Sequence, residues 1–164
     1  MAKSGRALLK KELTLYVLSE LKALGFVQAS PTDEQKKDRQ FGWRHPLGLW
    51  RLEGDTTSWI FALQFGKYGN AAVQPYFGKI ENIRFEEIGN SGLEPGILDY
   101  QEHFTICTHR LWLGMFQVKR RFGSELQISD YERTAKKIAA FFPKVRAIIE
   151  GRSRGSWHIV RFTP

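Results

Sequence analysis

The sequence predicts an α+β fold, a mainly antiparallel sheet of about five to seven strands packed by an N-terminal and a C-terminal helix. Three observations carry that prediction. Apolar residues recur at three- and four-residue steps near the start of the chain and again between residues 131 and 149. Between those stretches the chain breaks into short aromatic runs with period-two alternation, bounded by Gly, Pro, Asn and Asp. At 164 residues and 19.0 kDa, the whole of 1–164 matches one domain with a single sizeable core.

The first helix is expected from about Ser4 to Leu24, where Leu9, Leu13, Tyr16, Val17, Leu21 and Leu24 form one stripe and Gly25 supplies a stop. The polar stretch from Ala29 to Lys37, with Pro31 inside it, reads as a loop. Strands are expected at Phe41–Arg44, Leu49–Leu52, Trp59–Phe65, Ala72–Ile80 and Ile83–Glu87, in an antiparallel meander. In the third of these, Trp59, Phe61, Leu63 and Phe65 share one face and Ile60, Ala62 and Gln64 the other. Both faces are mostly apolar, which marks a central strand. A hairpin loop at Tyr68–Asn70 would set Gln64 opposite Gln74.

Residues 90–96 read as loop, and the segment that follows, to Glu102, shows no clear pattern. His103–Trp112 and Met115–Phe122 are expected to form a second hairpin. A capping box at Ser129 and Glu132 is expected to open the last helix, whose apolar stripe is Tyr131, Ala135, Ile138, Phe142, Val145 and Ile149. Pro143 should kink that helix or start a second one, and Gly151 should end it. Trp157–Phe162 has the composition of a last strand.

Leu24, Gly25 and Phe26 at the helix end, Gln64 in the central strand, Tyr68-Gly69-Asn70 in the turn and Gly78 at the end of the next strand together resemble a bacterial domain family of unknown function. Arg110 in THRLWLG is similar in place to an arginine of that family, whereas Tyr76 stands where the family commonly has Asn. The likeness spans roughly the first two-thirds of the chain. It implies an α+β fold and implies no reaction.

Several chemistries find weak support. His103, Cys107 and His109 would share a strand face, but structural zinc sites draw pairs of ligands from tight turns, so no metal and no cofactor is expected. Cys107 as a nucleophile would need an adjacent base and a device that lowers its pKa, and a mid-strand position supplies no helix dipole. A metal-dependent nuclease built on Glu53, Asp55, Gln64 and Lys67 is the most serious enzyme reading. It suffers because side chains three apart on a strand point to opposite faces. The glycines lie in hairpin turns rather than at strand-to-helix junctions, which argues against a phosphate-cradling loop. The N-terminal residues lack the apolar run of a signal peptide, and no stretch reaches membrane-spanning length, so a cytoplasmic protein without membrane contact is expected.

Charge is the one functional signal with weight. The formal net charge is +8, and residues 101–164 carry 12 Lys and Arg against 5 Asp and Glu, or +7 of it. The candidate partner-binding residues are therefore Lys119, Arg120, Arg121, Arg133, Lys137, Lys144, Arg152 and Arg154, with Trp157 available for stacking. The sequence reading is a non-enzymatic interaction or regulatory domain that binds a protein partner, an acidic one if charge selects it. The alternative is a nucleic-acid-binding protein that uses the basic C-terminal surface.

Overall fold

In the computed structural model, residues 5–66, 71–108, 114–119 and 125–162 are described. The helices are α1 (Gly5–Ala23), α2 (Asp33–Lys37), α3 (Arg39–Arg44), α4 (Asn82–Asn90), α5 (Ile128–Ala139) and α6 (Phe142–Ile149). The strands are β1 (Val27–Gln28), β2 (Leu49–Glu53), β3 (Thr57–Phe65), β4 (Ala72–Glu81), β5 (Glu102–Ile106), β6 (Phe116–Gln117) and β7 (Ile159–Phe162). They form one antiparallel sheet in the order β1-β2-β3-β4-β5-β7, with β6 paired to β4. The fold is α+β.

The central strand behaves as its alternation predicts. Phe61, Leu63 and Phe65 of β3 join Trp50, Val73, Phe77, Phe104, Ile106 and Ile159 in a core closed by α1, α5 and α6. Along that face Phe61 stacks on Phe77 at 6.2 Å and Phe77 on Phe104 at 5.0 Å, while Phe142 of α6 meets Phe61 at 5.5 Å. Ile60 and Ala62 point the other way, into a second core with Leu49, Tyr76, Ile80, Tyr100, Phe41 and Ile88. Gln64 does lie opposite Gln74.

The Leu-Gly-Phe helix end has a physical cause. Gly25 takes φ +91°, its amide donates to Lys22 O at 3.0 Å, and the Phe26 amide reaches back to Leu21 O at 3.0 Å. This is a Schellman cap, and it buries Phe26 against the core. Gly92 ends α4 and Gly151 ends α6 in the same way, through Leu93 N to Ile88 O and Arg152 N to Ala147 O.

Several expectations need correction. Phe41–Arg44 is not a strand but the end of α3, because the Asp38 carboxylate accepts from Gln40 N at 2.7 Å and starts a helix there. Ile83–Glu87 lies in α4, not a strand; no strand pairs with it, and Ile83, Arg84, Glu86 and Glu87 are exposed while Phe85 is half-buried. The expected loop at Ala29–Lys37 contains α2, whose capping box pairs Thr32 with Gln35. The last helix opens at Ile128 rather than Ser129, because the buried Asp130 carboxylate accepts from Gln127 N at 2.9 Å. Pro143 sits in the first turn of α6, so the stripe is carried by two helices. Of the expected second hairpin, residues 109–113 and 120–124 lie outside the described residues; the chain closes where Thr108 N donates to Gly114 O at 3.0 Å, and β5 and β6 are not ladder partners of each other. Both lie along the edge of β4 opposite β3, β5 against Tyr76–Lys79 and β6 against Ala72–Val73. No helix among the described residues is long and apolar enough to cross a membrane.

Candidate functional site

The second face of the sheet is covered by short helices that leave a cleft of about 700 Å³ between the β1–β2 edge, α2 with α3, and α4. Its strand-side wall is Gln28, Ala29 and Leu49, its helical wall is Gln35, Phe41 and His45, and Phe85 of α4 closes the far side.

Polar groups hold these walls in place. Thr32 Oγ1 donates to Gly89 O at 2.7 Å and the buried Gln35 donates through Nε2 to Leu93 O at 2.8 Å, which ties α2 to the end of α4. In the floor, Arg51 Nε donates to Ser58 Oγ at 2.8 Å, and Ser58 Oγ donates to Asn82 Oδ1 at 2.6 Å. Asn82 Nδ2 returns to the Gly54 carbonyl at 3.0 Å, so the β2–β3 turn and α4 share one network. The Arg51 guanidinium also lies 5.1 Å from the centre of the Phe85 ring.

Behind the helical wall, Glu94 accepts from Arg44 Nη1 at 2.7 Å and pairs closely with His45 Nε2. Burial alone would raise the Glu94 carboxyl, but the hydrogen bonds and charge of His45 and Arg44 together outweigh it and hold the group below the usual carboxylate range. His45 is 3% exposed, its Nδ1 is buried without a hydrogen-bond partner, and Phe41 and Tyr76 flank the ring at 5.4 and 6.1 Å. A carboxylate-oriented imidazole is half of a general base, but here apolar rings pack against it, and its effect is to pin α3 to the loop after α4. Next to it, His103 is packed by Tyr76, Tyr100 and Phe162, and burial pushes its pKa down to about 4. Burial likewise raises the Tyr76 and Tyr100 hydroxyls above their ordinary value.

No protein-family model, curated protein or solved structure matches this chain. The site's own chemistry therefore carries the functional argument.

The residues singled out by charge fall into separate groups. Arg133 pairs with Asp130 and donates to Lys119 O at 3.2 Å, so Lys119 and Arg133 are brought together. Arg133 and Lys137 line a shallow groove on α5 with Lys136, which is itself paired to Glu132. Lys144 lies over the Phe141 ring at 5.8 Å. Arg152 donates from Nε to Glu150 Oε2 at 2.8 Å, and Trp157 is 57% exposed. Arg154 lines a different pocket, with Lys79 and Arg161. Arg120, Arg121, His109 and Lys67 lie outside the described residues. Cys107 is buried, Glu53 pairs with Arg51 at 3.4 Å, and no group of three or more His, Cys, Asp and Glu among the described residues could hold a metal ion.

Sequence reasoning missed the cleft. One signal was present, since Thr32 and Gln35 have capping-box spacing and Asp38 follows at a cap position. Nothing local links His45 to Glu94, which stand 49 residues apart.

Proposed function

We propose that this chain is a non-enzymatic interaction domain that binds a protein partner by taking an extended segment of it in the cleft along β1. The supporting observation is an unpaired sheet edge beside an amphipathic groove. Ala29 N donates to Leu49 O at 2.9 Å and Gln28 stands opposite Trp50, so the antiparallel alternation turns the Gln28 amide and carbonyl away from β2. An extended peptide adding to that edge would gain backbone hydrogen bonds, and alternate side chains would meet Phe41, Leu49 and Phe85. Val27, 64% exposed on this edge, would be covered as well.

The test is peptide selection from a random library, followed by mapping of amide shifts in the isotope-labelled protein. Expected are perturbations at 27–30, Phe41 and Phe85, and loss of binding in Gln28→Pro. That substitution removes an outward amide and leaves the β1–β2 bonds intact. Peptides that perturb other surfaces, or that bind Gln28→Pro as well as the parent, would overturn the reading.

A second reading, nucleic-acid binding by the basic C-terminal surface, is favoured by one observation. The carboxylates Asp130, Glu132 and Glu150 are taken by Arg133, Lys136 and Arg152. Lys137 and Lys144 have no acidic partner among the described residues. That reading requires labelled RNA or DNA to bind at low salt and to be released steeply as salt rises; no shift at low salt removes it.

A further inference from the structure

We infer that a second pocket, on the opposite face of the sheet from the cleft, is a site for a phosphate monoester carried on a small planar group. The pocket has a volume of about 410 Å³, within the range of about 300–1,000 Å³ typical of small-ligand sites. It lies where α6 ends over the sheet, and it does not depend on the proposed peptide cleft.

Strand register assembles it. Trp59 of β3 stands opposite Lys79 of β4, and Lys79 stands opposite Glu102 of β5, so the three share a row on one face. Arg161 of β7 is opposite Phe104, one row along on the same face. The Schellman cap at Gly151 turns the chain back after α6 and brings Ser153 and Arg154 to the rim. Ile148 and Ile149 supply an apolar wall, and Trp59 packs on Phe104 with ring centroids 6.2 Å apart.

The charges do not balance within this pocket. Three cations, Lys79, Arg154 and Arg161, face one carboxylate, Glu102. Glu102 is 3.7 Å from Arg161, while the side chains of Lys79 and Arg154 have no ion-pair or hydrogen-bond partner among the described residues. The α6 carbonyls that would oppose an anion are occupied: Ala147 O accepts from Arg152 N and Ser153 N, and Ile148 O from Gly151 N. Two unpaired cations beside a third, at the mouth of a pocket walled by Trp59, Ile148 and Ile149, match a doubly charged phosphate attached to a flat apolar group. A free nucleotide and the 5′-phosphorylated end of a nucleic acid present this same chemistry.

Isothermal titration calorimetry of the full chain with AMP, adenosine and inorganic phosphate tests the assignment. AMP should bind at one site and adenosine at least tenfold more weakly. Lys79→Gln and Arg154→Gln should each weaken AMP about tenfold, the scale of one lost charge-assisted contact, while Lys11→Gln, at an exposed position on α1, changes nothing. Thermal melts of each variant verify the fold. Preference for RNA bearing a 5′-phosphate over the same RNA with a 5′-hydroxyl would assign the site to a chain end, and AMP binding without that preference would assign it to a free nucleotide. Equal binding of AMP and adenosine, no heat at millimolar AMP with folded protein, or equal weakening by Lys11→Gln would overturn the proposal.

Discussion

Replacing His103 by Phe should flatten the acid side of this protein's stability profile. In the native chain the imidazole is 6% exposed, enclosed by Tyr76, Tyr100 and Phe162, and its Nδ1 has no partner. Burial penalises its charged form and lowers its pKa from 6.5 to about 4. The unfolded chain therefore takes up a proton near pH 6.5 that the native chain refuses until about pH 4. Where the unfolded state binds more protons, stability rises with pH, so native stability falls as pH drops through this window. The slope approaches about 1.4 kcal/mol per pH unit, which amounts to about 2 kcal/mol at pH 5 and about 3 kcal/mol by pH 4.

Glu94 acts with the same sign lower down. Its pKa is depressed in the folded state, so its contribution is present above the ordinary carboxylate range and is lost as pH falls below that range. The interval between about pH 4.5 and 6.5 thus separates His103 from the Glu94 carboxylate. Urea unfolding of the parent and of His103→Phe, at constant ionic strength across that interval, should give a parent curve that falls more steeply with falling pH than the variant's, by up to about 1.4 kcal/mol per pH unit. Parallel curves, or a His103 imidazole titrating near 6.5 by NMR in the folded protein, would refute the reasoning.

Three further outcomes follow from packing. Gly78→Ala would place a Cβ 2.5 Å from Tyr100 Cδ1 and 2.6 Å from the Glu102 carbonyl oxygen, and since that oxygen belongs to the paired strand it cannot move aside. A cost of about 1–3 kcal/mol in the urea midpoint is expected, and an unchanged midpoint would contradict the strand spacing. Gly42→Ala, inside α3 with nothing within 4 Å of the added carbon, should raise stability by about 0.5–1 kcal/mol. Glu94→Gln leaves Arg44 and the buried His45 without their carboxylate, and should cost about 1–3 kcal/mol at neutral pH in the same assay.

The sheet core was legible because its signal is local. Nine consecutive residues from Thr57 to Phe65 state their own alternation, and the neighbouring strand β4 pairs with them in the register that sets Gln64 against Gln74; the expected loop at Tyr68–Asn70 lies outside the described residues. The layer that shapes the cleft was not. α2 and α3 have 5 and 6 residues, too few for a helical period to stand out, and Phe41 and Trp43 alternate in α3 much as they would in a strand. What fixes them is capping chemistry at Thr32, Gln35 and Asp38, worth about 1 kcal/mol per cap, together with contacts to Gly89 and Leu93 more than 50 residues away.

Charge shows the same division between what is local and what is not. Counting along the chain puts the excess in residues 101–164, yet a count cannot distinguish a cation that faces a carboxylate one turn away from one that does not. Arg133, Lys136 and Arg152 each meet an acid within four residues and contribute little unbalanced field. Lys79 lies in the segment 61–100, which has more acids than bases, and a sequence reading passes over it. Strand register then sets Lys79 beside the row that holds Arg161, and the turn at Gly151 adds Arg154. The unbalanced charge of this pocket is therefore made by topology, where β4, β7 and the end of α6 meet.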